Sequence, residues 1–154
     1  MKPKLVLAAL LLVIASTVAV AQDRKTMPSP TTVHFSEAFT SLVVEDDLTV
    51  VLTVGASPDI TIEGDARSVM TKEVDGSLSL SVLGVHAAGQ TIVYVPASLL
   101  SRVYMNGTGT LRSATTLQNR KLKIILSDEA KVRVKSTGNV SVETWNEIDF
   151  VKGR

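Results

Sequence analysis

From Val33 onward this sequence is built of short runs in which apolar and polar residues alternate, separated by polar turns, and that rhythm limits the fold more than any other feature. The clearest run is LTVVLTV at 48–54, where Leu48, Val50, Leu52 and Val54 fall on one side of an extended chain and Thr49, Val51 and Thr53 on the other. A period of two with β-branched side chains suits a pleated, half-buried strand. Gly55-Ala56-Ser57-Pro58-Asp59 ends that run with turn chemistry, and Ile60-Thr61-Ile62-Glu63 opens the next. Only residues 65–72, DARSVMTK, could hold a helical turn, with Asp65 as its N-cap, and so short a helix is marginal without tertiary support. Asp75-Gly76 turns the chain into Leu78-Ser79-Leu80-Ser81-Val82, and further runs follow at 91–95, 103–105, 122–126, 132–134 and 140–142. The pattern predicts an all-β chain with Val50, Leu52 and Leu80 in its core.

Ahead of that domain, Lys2 and Lys4 precede an apolar run at 5–20, and Ala19-Val20-Ala21 places small residues at the positions a signal peptidase reads. The sequence therefore predicts a signal peptide over 1–21, a polar linker over 22–32 and a β domain over 33–151. Export to the periplasm, the outer surface or the extracellular space is expected, with no transmembrane span after cleavage. The chain has no cysteine, which excludes a lipid anchor on an N-terminal cysteine, disulfides, thiolate chemistry and cysteine-bound zinc. Losing Lys2 and Lys4 takes the formal charge from +1 to −1. So small a net charge makes no electrostatic case for nucleic acid or for an anionic membrane surface.

The spacing of the runs carries a second signal. A shift of 21 residues superposes Val82 on Val103 on Ile124, Met105 on Leu126 and Leu111 on Val132; a shift of 18 superposes Leu122 on Val140 and Ile124 on Val142. A repeat near 20 residues suits a coil that buries its apolar face only by stacking on the previous one. Periodicity by itself leaves a β-sandwich or jelly roll equally open.

The order of features then resembles a known family. Phe39-Thr40-Ser41-Leu42, the LTVVLTVG run, Ile60-Thr61-Ile62-Glu63-Gly64-Asp65, Val74-Asp75-Gly76-Ser77-Leu78, and Val93-Tyr94-Val95-Pro96 before Asn106-Gly107-Thr108-Gly109 are similar to the exported bacterial proteins with a head GIN domain, which carry an auto-transporter adhesin label. The resemblance covers about residues 33–142. It implies a right-handed, single-stranded β-helix-like stack, common in Bacteroidetes, and a non-enzymatic role in adhesion or envelope interaction, with no cofactor. The chain departs from the family where Asp128-Glu129-Ala130-Lys131 stands in place of a Gly-containing turn, which questions the completeness of the stack.

Few residues suggest chemistry. Glu45, Asp46 and Asp47, with Glu63 and Asp65 on a neighbouring turn, could converge as oxygen ligands for calcium, but no D-x-D-G loop is present and a solvated acidic turn explains them better. Asp46, Asp47 and Asp65 are therefore weak metal candidates and no metal is expected. His34 and His86 have no carboxylate at ligand spacing. There is no G-x-S-x-G motif, and a small polysaccharide-active enzyme remains a minor alternative by fold analogy alone. Tyr94 and Tyr104 are the candidate binding residues: on the outer face of adjacent strands they would form a sugar-stacking platform, against a commoner cross-strand packing role. Expected partners are envelope polysaccharide or protein, or a second copy through the coil ends. The tail, with Trp145, Ile148, Phe150 and Val151, is expected to fold over the last coil as a cap with Trp145 buried.

Overall fold

A computed structural model describes residues 29–84 and 91–145. The expected signal peptide and most of the expected linker lie outside those residues, as do His86, Ile148, Phe150 and Val151. The described chain forms strands β1 (Thr31–Val33), β2 (Ser41–Glu45), β3 (Thr49–Thr53), β4 (Ile60–Glu63), β5 (Val69–Val74), β6 (Ser77–Val82), β7 (Ile92–Pro96), β8 (Arg102–Asn106), β9 (Thr110–Ser113), β10 (Lys121–Ser127), β11 (Lys131–Arg133) and β12 (Asn139–Thr144). They make two six-stranded mixed sheets. Sheet A has the order β1-β4-β7-β3-β9-β11, and sheet B the order β12-β10-β8-β2-β6-β5.

The alternation seen in the sequence becomes a single core between the sheets. Sheet B turns inward the rows Leu78, Leu42, Val103, Ile124 and Leu80, Val44, Met105, Leu126; sheet A answers with Ile62, Val93, Val50, Leu111 and Ile60, Val95, Leu52. Val50, Leu52 and Leu80 are fully buried, as expected, and each leucine so placed contributes about 1.5–3 kcal/mol of transfer free energy. Two residues of the 48–54 run depart from simple alternation. Val54 is 56% exposed because β3 ends at Thr53 before the turn. Val51, on the outer face, is only 2% exposed because Tyr94 and Arg112 flank it in register on β7 and β9.

From β8 onward the chain winds as a parallel, in-register stack. Val103 pairs with Ile124 and Met105 with Leu126, Leu111 pairs with Val132, and Leu122 and Ile124 pair with Val140 and Val142, so the shifts of 21 and 18 are physical neighbours. Before β8 the winding is interleaved. The β6–β7 coil lies on one side of the β2–β3 coil and β8–β9 on the other, so Val103 sits beside Leu42, not Val82. Antiparallel β5 and β4 close that first side, and β1 adds antiparallel to β4.

Turn residues fit this layout. Asp75 and Gly76, both at positive φ (50° and 72°), make the tight hairpin between β5 and β6. Asp65 caps a short 3-10 helix (Ala66–Ser68) by accepting from the Arg67 N–H at 3.2 Å, the one helical turn that the sequence allowed. Asp46, Gly107 and Asp128 follow in-register strand ends in three successive corners, and all have positive φ (66°, 115° and 62°). Aspartate tolerates that conformation better than most residues, so Asp128 continues the stack where a glycine was expected. On the opposite corner the buried Asn119 amide donates to the carbonyl oxygens of Ala97 and, at 2.8 Å, Leu100, tying the crossover between β7 and β8 to the coil above it. Gly138 stacks on Asn119 so closely that a Cβ there would meet the Asn119 carbonyl oxygen.

Candidate functional site

The two tyrosines do not form one platform. Tyr94 lies on β7, hydrogen-bonded between β3 and β4 of sheet A, whereas Tyr104 lies on β8 between β2 and β10 of sheet B. Each alternates with buried neighbours, so both face outward, but from opposite sheets. The adjacency suggested by the sequence fails because the nine residues between them carry the chain across the core from one sheet to the other.

On sheet A, Tyr94 sits in an outer row that runs Thr32, Thr61, Tyr94, Val51, Arg112, Arg133. Its hydroxyl donates to Glu63 Oε2 at 2.8 Å. Donating that bond requires the neutral phenol, and the hydrogen bond to Glu63, then burial, then the nearby carboxylate charge raise the Tyr94 pKa above its ordinary value, with Arg112 acting the other way. The ring is thus held in one pose beside Val51. On sheet B, Tyr104 lies in register between Val43 and Ile125, all half-buried, forming a short apolar stripe across three strands.

The acidic candidates stay apart. Asp46 Oδ2 accepts the Val82 N–H at 3.1 Å and joins the β2–β3 corner to the end of β6. Asp65 is occupied as a helix cap and pairs with Arg67 Nε at 3.6 Å, while Asp47 is half-buried in the turn. Among the described residues no three His, Asp or Glu side chains cluster as a metal site. His34, exposed, meets Asp59 at 2.9 Å, and that hydrogen bond is the main cause lowering the Asp59 pKa. A shallow depression lined by Phe39, Ala56, Pro96 and Leu99 encloses no space for a water molecule. What the described surface offers is therefore two broad outer sheet faces. Trp145 is 81% exposed, its N–H bonded to the Leu126 carbonyl, so it does not cap the last coil.

The family model described as "Putative auto-transporter adhesin, head GIN domain" matches residues 38–151. The chain belongs to that family. Three solved structures are similar in fold: a putative adhesin from Parabacteroides merdae (18% identity, TM-score 0.60), one from Parabacteroides distasonis (12%, 0.58) and one from Bacteroides fragilis (16%, 0.53). Each match covers 75% of this chain but only 51%, 56% and 62% of the respective relative, so this head GIN chain spans little more than half their length. No curated protein matches. The head GIN chain is thus an adhesin-like, all-β module, and no helix among its described residues is long and apolar enough to cross a membrane.

Sequence reasoning missed two features of these faces. Val51 reads as an ordinary outward position, although its neighbours are fixed only by a register that sequence does not reveal. The charges are the second: the near-neutral total conceals an uneven distribution that counting by segment would have found.

Proposed function

We propose that this chain is an exported, non-enzymatic module that acts at the bacterial surface or in the periplasm by adhesion or envelope interaction, through the outer faces of its two sheets. The observation that carries the reading is the adhesin label of the family whose model spans residues 38–151. Tyr94, fixed by Glu63, and the Val43, Tyr104 and Ile125 stripe support it, because amphipathic rings on flat faces suit contact with sugars or protein. Cleavage before Gln22 belongs to the same reading and gives the mature protein a start that intact mass would identify. The direct test is capture from the organism's own envelope extract by the immobilised mature protein. Recovery of envelope polysaccharide or a defined protein, weakened by Tyr94→Ala or Tyr104→Ala, supports the reading. No retained component would remove it.

A second reading, self-association through the coil ends, is favoured by one observation. Val142 on the edge strand β12 is 51% exposed on a face that in β10 is buried. A mass that grows with concentration in light scattering would support that reading over the first.

A further inference from the structure

The charges of this chain are sorted along the stack. Residues 29–84 hold nine Asp and Glu against two Lys and Arg, whereas residues 91–145 hold three against eight. Strands β8 to β12 lie together on one side of the β2–β3 coil, so most of those eight cations share one half of the molecule.

On the outer face of sheet A the sorting becomes local. Arg112 on β9 and Arg133 on β11 are in-register neighbours, and Lys131 lies on the same strand opposite Thr110. Lys135 continues the alternation in which Val132 and Val134 pack toward the core while Lys131, Arg133 and Lys135 stand exposed. Neighbouring strands are about 4.8 Å apart and outward residues about 6.8 Å apart along a strand, so the four cations fall within roughly 15 Å of one another. Among the described residues none of them makes an ion pair, in contrast to Lys123 on sheet B, which meets Glu143 at 2.9 Å.

Edge protection explains part of this strip, since β11 is the edge of sheet A and lysines discourage edge pairing. It does not explain Arg112, which is on the interior strand β9 and faces a like charge at a cost to stability. The row beyond Arg112 runs through Val51 to the Tyr94 ring. Cations and a fixed amphipathic ring thus share one outer face.

We propose that this face, from Tyr94 across Arg112 to Arg133, Lys131 and Lys135, binds an anionic polysaccharide. The proposal rests on the adhesion reading and names the ligand class for one of its two faces. Guanidinium groups donate to carboxylate, sulfate or phosphate oxygens two at a time, and the tyrosine ring gives a sugar an apolar surface to lie against. The occupant is a single flexible chain, because the positive strip is two strands wide and Glu63 and the acidic half bound it on the other side. A duplex nucleic acid crossing the strands would leave the strip and meet that acidic half. A membrane is disfavoured because the outward residues of β9 and β11 are Thr110, Arg112, Lys131 and Arg133, with no apolar side chain to insert.

The test measures affinity of the mature protein for polygalacturonate, dextran sulfate, neutral dextran and a 20-base-pair DNA duplex at two salt concentrations. Binding to one or both anionic polymers and not to neutral dextran is expected, and the stronger of the two identifies carboxylate or sulfate. Arg112→Gln with Arg133→Gln should weaken that binding about tenfold and flatten its salt dependence. Arg102→Gln with Lys121→Gln removes the same charge from sheet B and should change it less than twofold. Arg112→Lys with Arg133→Lys, which keeps the charge, should retain more affinity than the glutamine pair and guards against a folding effect. Failure of both anionic polymers, equal losses from the sheet A and sheet B pairs, or tighter binding of the duplex would overturn the proposal. If anionic polymers fail while envelope capture persists, the ligand class falls and the adhesion reading stands; if capture fails as well, both fall.

Discussion

The two halves of the stack are built from the same strands but connected differently. From β8 to β12 each coil lies on the one made 18 or 21 residues earlier, all parallel and in register. From β1 to β7 the chain first lays the central coil β2–β3, leaves it to build β4 to β7 on one side, and returns to the other side at β8, so that Ser41 pairs with Arg102. The contrast teaches that a repeat in sequence reports stacking only where the coil made next is also the coil beside it. It also separates charge, because the half built outward from β2 to β7 is acidic and the half built from β8 is basic.

Core truncations offer the largest effect. Leu52→Ala and Leu80→Ala in the interleaved half and Ile124→Ala in the coiled half should each cost about 2–4 kcal/mol, while Thr49→Ala and Ser79→Ala should cost well under 1 kcal/mol. One denaturation transition in all variants would mean that the halves share a single cooperative core; separate transitions would mean that the coiled half behaves as a linear array.

Next come the corners that hold the halves together. Asn119→Ala leaves the Ala97 and Leu100 carbonyls without their donor and should cost about 1–3 kcal/mol. Gly138→Ala forces the neighbouring corner to move and should cost a similar amount, about 1–3 kcal/mol. Thermal melting that is unchanged in both would show that these corners do not bear on the junction.

Much of the fold was legible because it depends on local pattern. Val50, Leu52 and Leu80 sit where alternation put them, Asp65 caps the one short helix among the described residues, Asp75-Gly76 makes its hairpin, and the register between Val103 and Ile124 follows the shift of 21. The match of Val82 to Val103 failed because alternation gives the face of a residue but not the side of β2 on which its strand will lie. The same gap separated Tyr94 from Tyr104. An apolar tail after the last coil suggests a cap with Trp145 buried, yet Trp145 instead pairs through its backbone with Leu126 and its side chain stands in solvent. The basic strip was hidden by net charge, a sum that cancels when acid and base are sorted into different halves.

Smaller effects sharpen the comparison at stacked corners. Asp128→Gly relieves a positive φ and should stabilise by about 0.5–1 kcal/mol. Asp46→Gly occupies an equivalent corner but also loses the bond to the Val82 N–H across to β6, so it should gain less or destabilise. Equal gains at both corners would argue that this link to the interleaved half contributes nothing.

The smallest effect is a pH dependence. Because the folded Tyr94 pKa is raised, its stabilising contribution is complete below the ordinary phenol value of 10.0 and is lost as pH rises through the folded value. Tyr94→Phe should therefore change melting little at neutral pH and decline less steeply than the parent in alkaline solution. Parallel alkaline curves would show that Glu63 does not hold the phenol in solution.

The interleaving itself can be tested by cross-linking, and the absence of native cysteine makes the result unambiguous. Ser41→Cys with Arg102→Cys places two thiols on in-register neighbours of β2 and β8, within the span that a disulfide bridges. Ser81→Cys with Arg102→Cys places them on positions 21 residues apart, which an uninterrupted coil would make neighbours but which here lie two strands apart with β2 between. Under mild oxidation the first pair should close as an intramolecular disulfide with the melting temperature preserved or raised, and the second should stay reduced. Closure of the second pair in place of the first would contradict the interleaved stack.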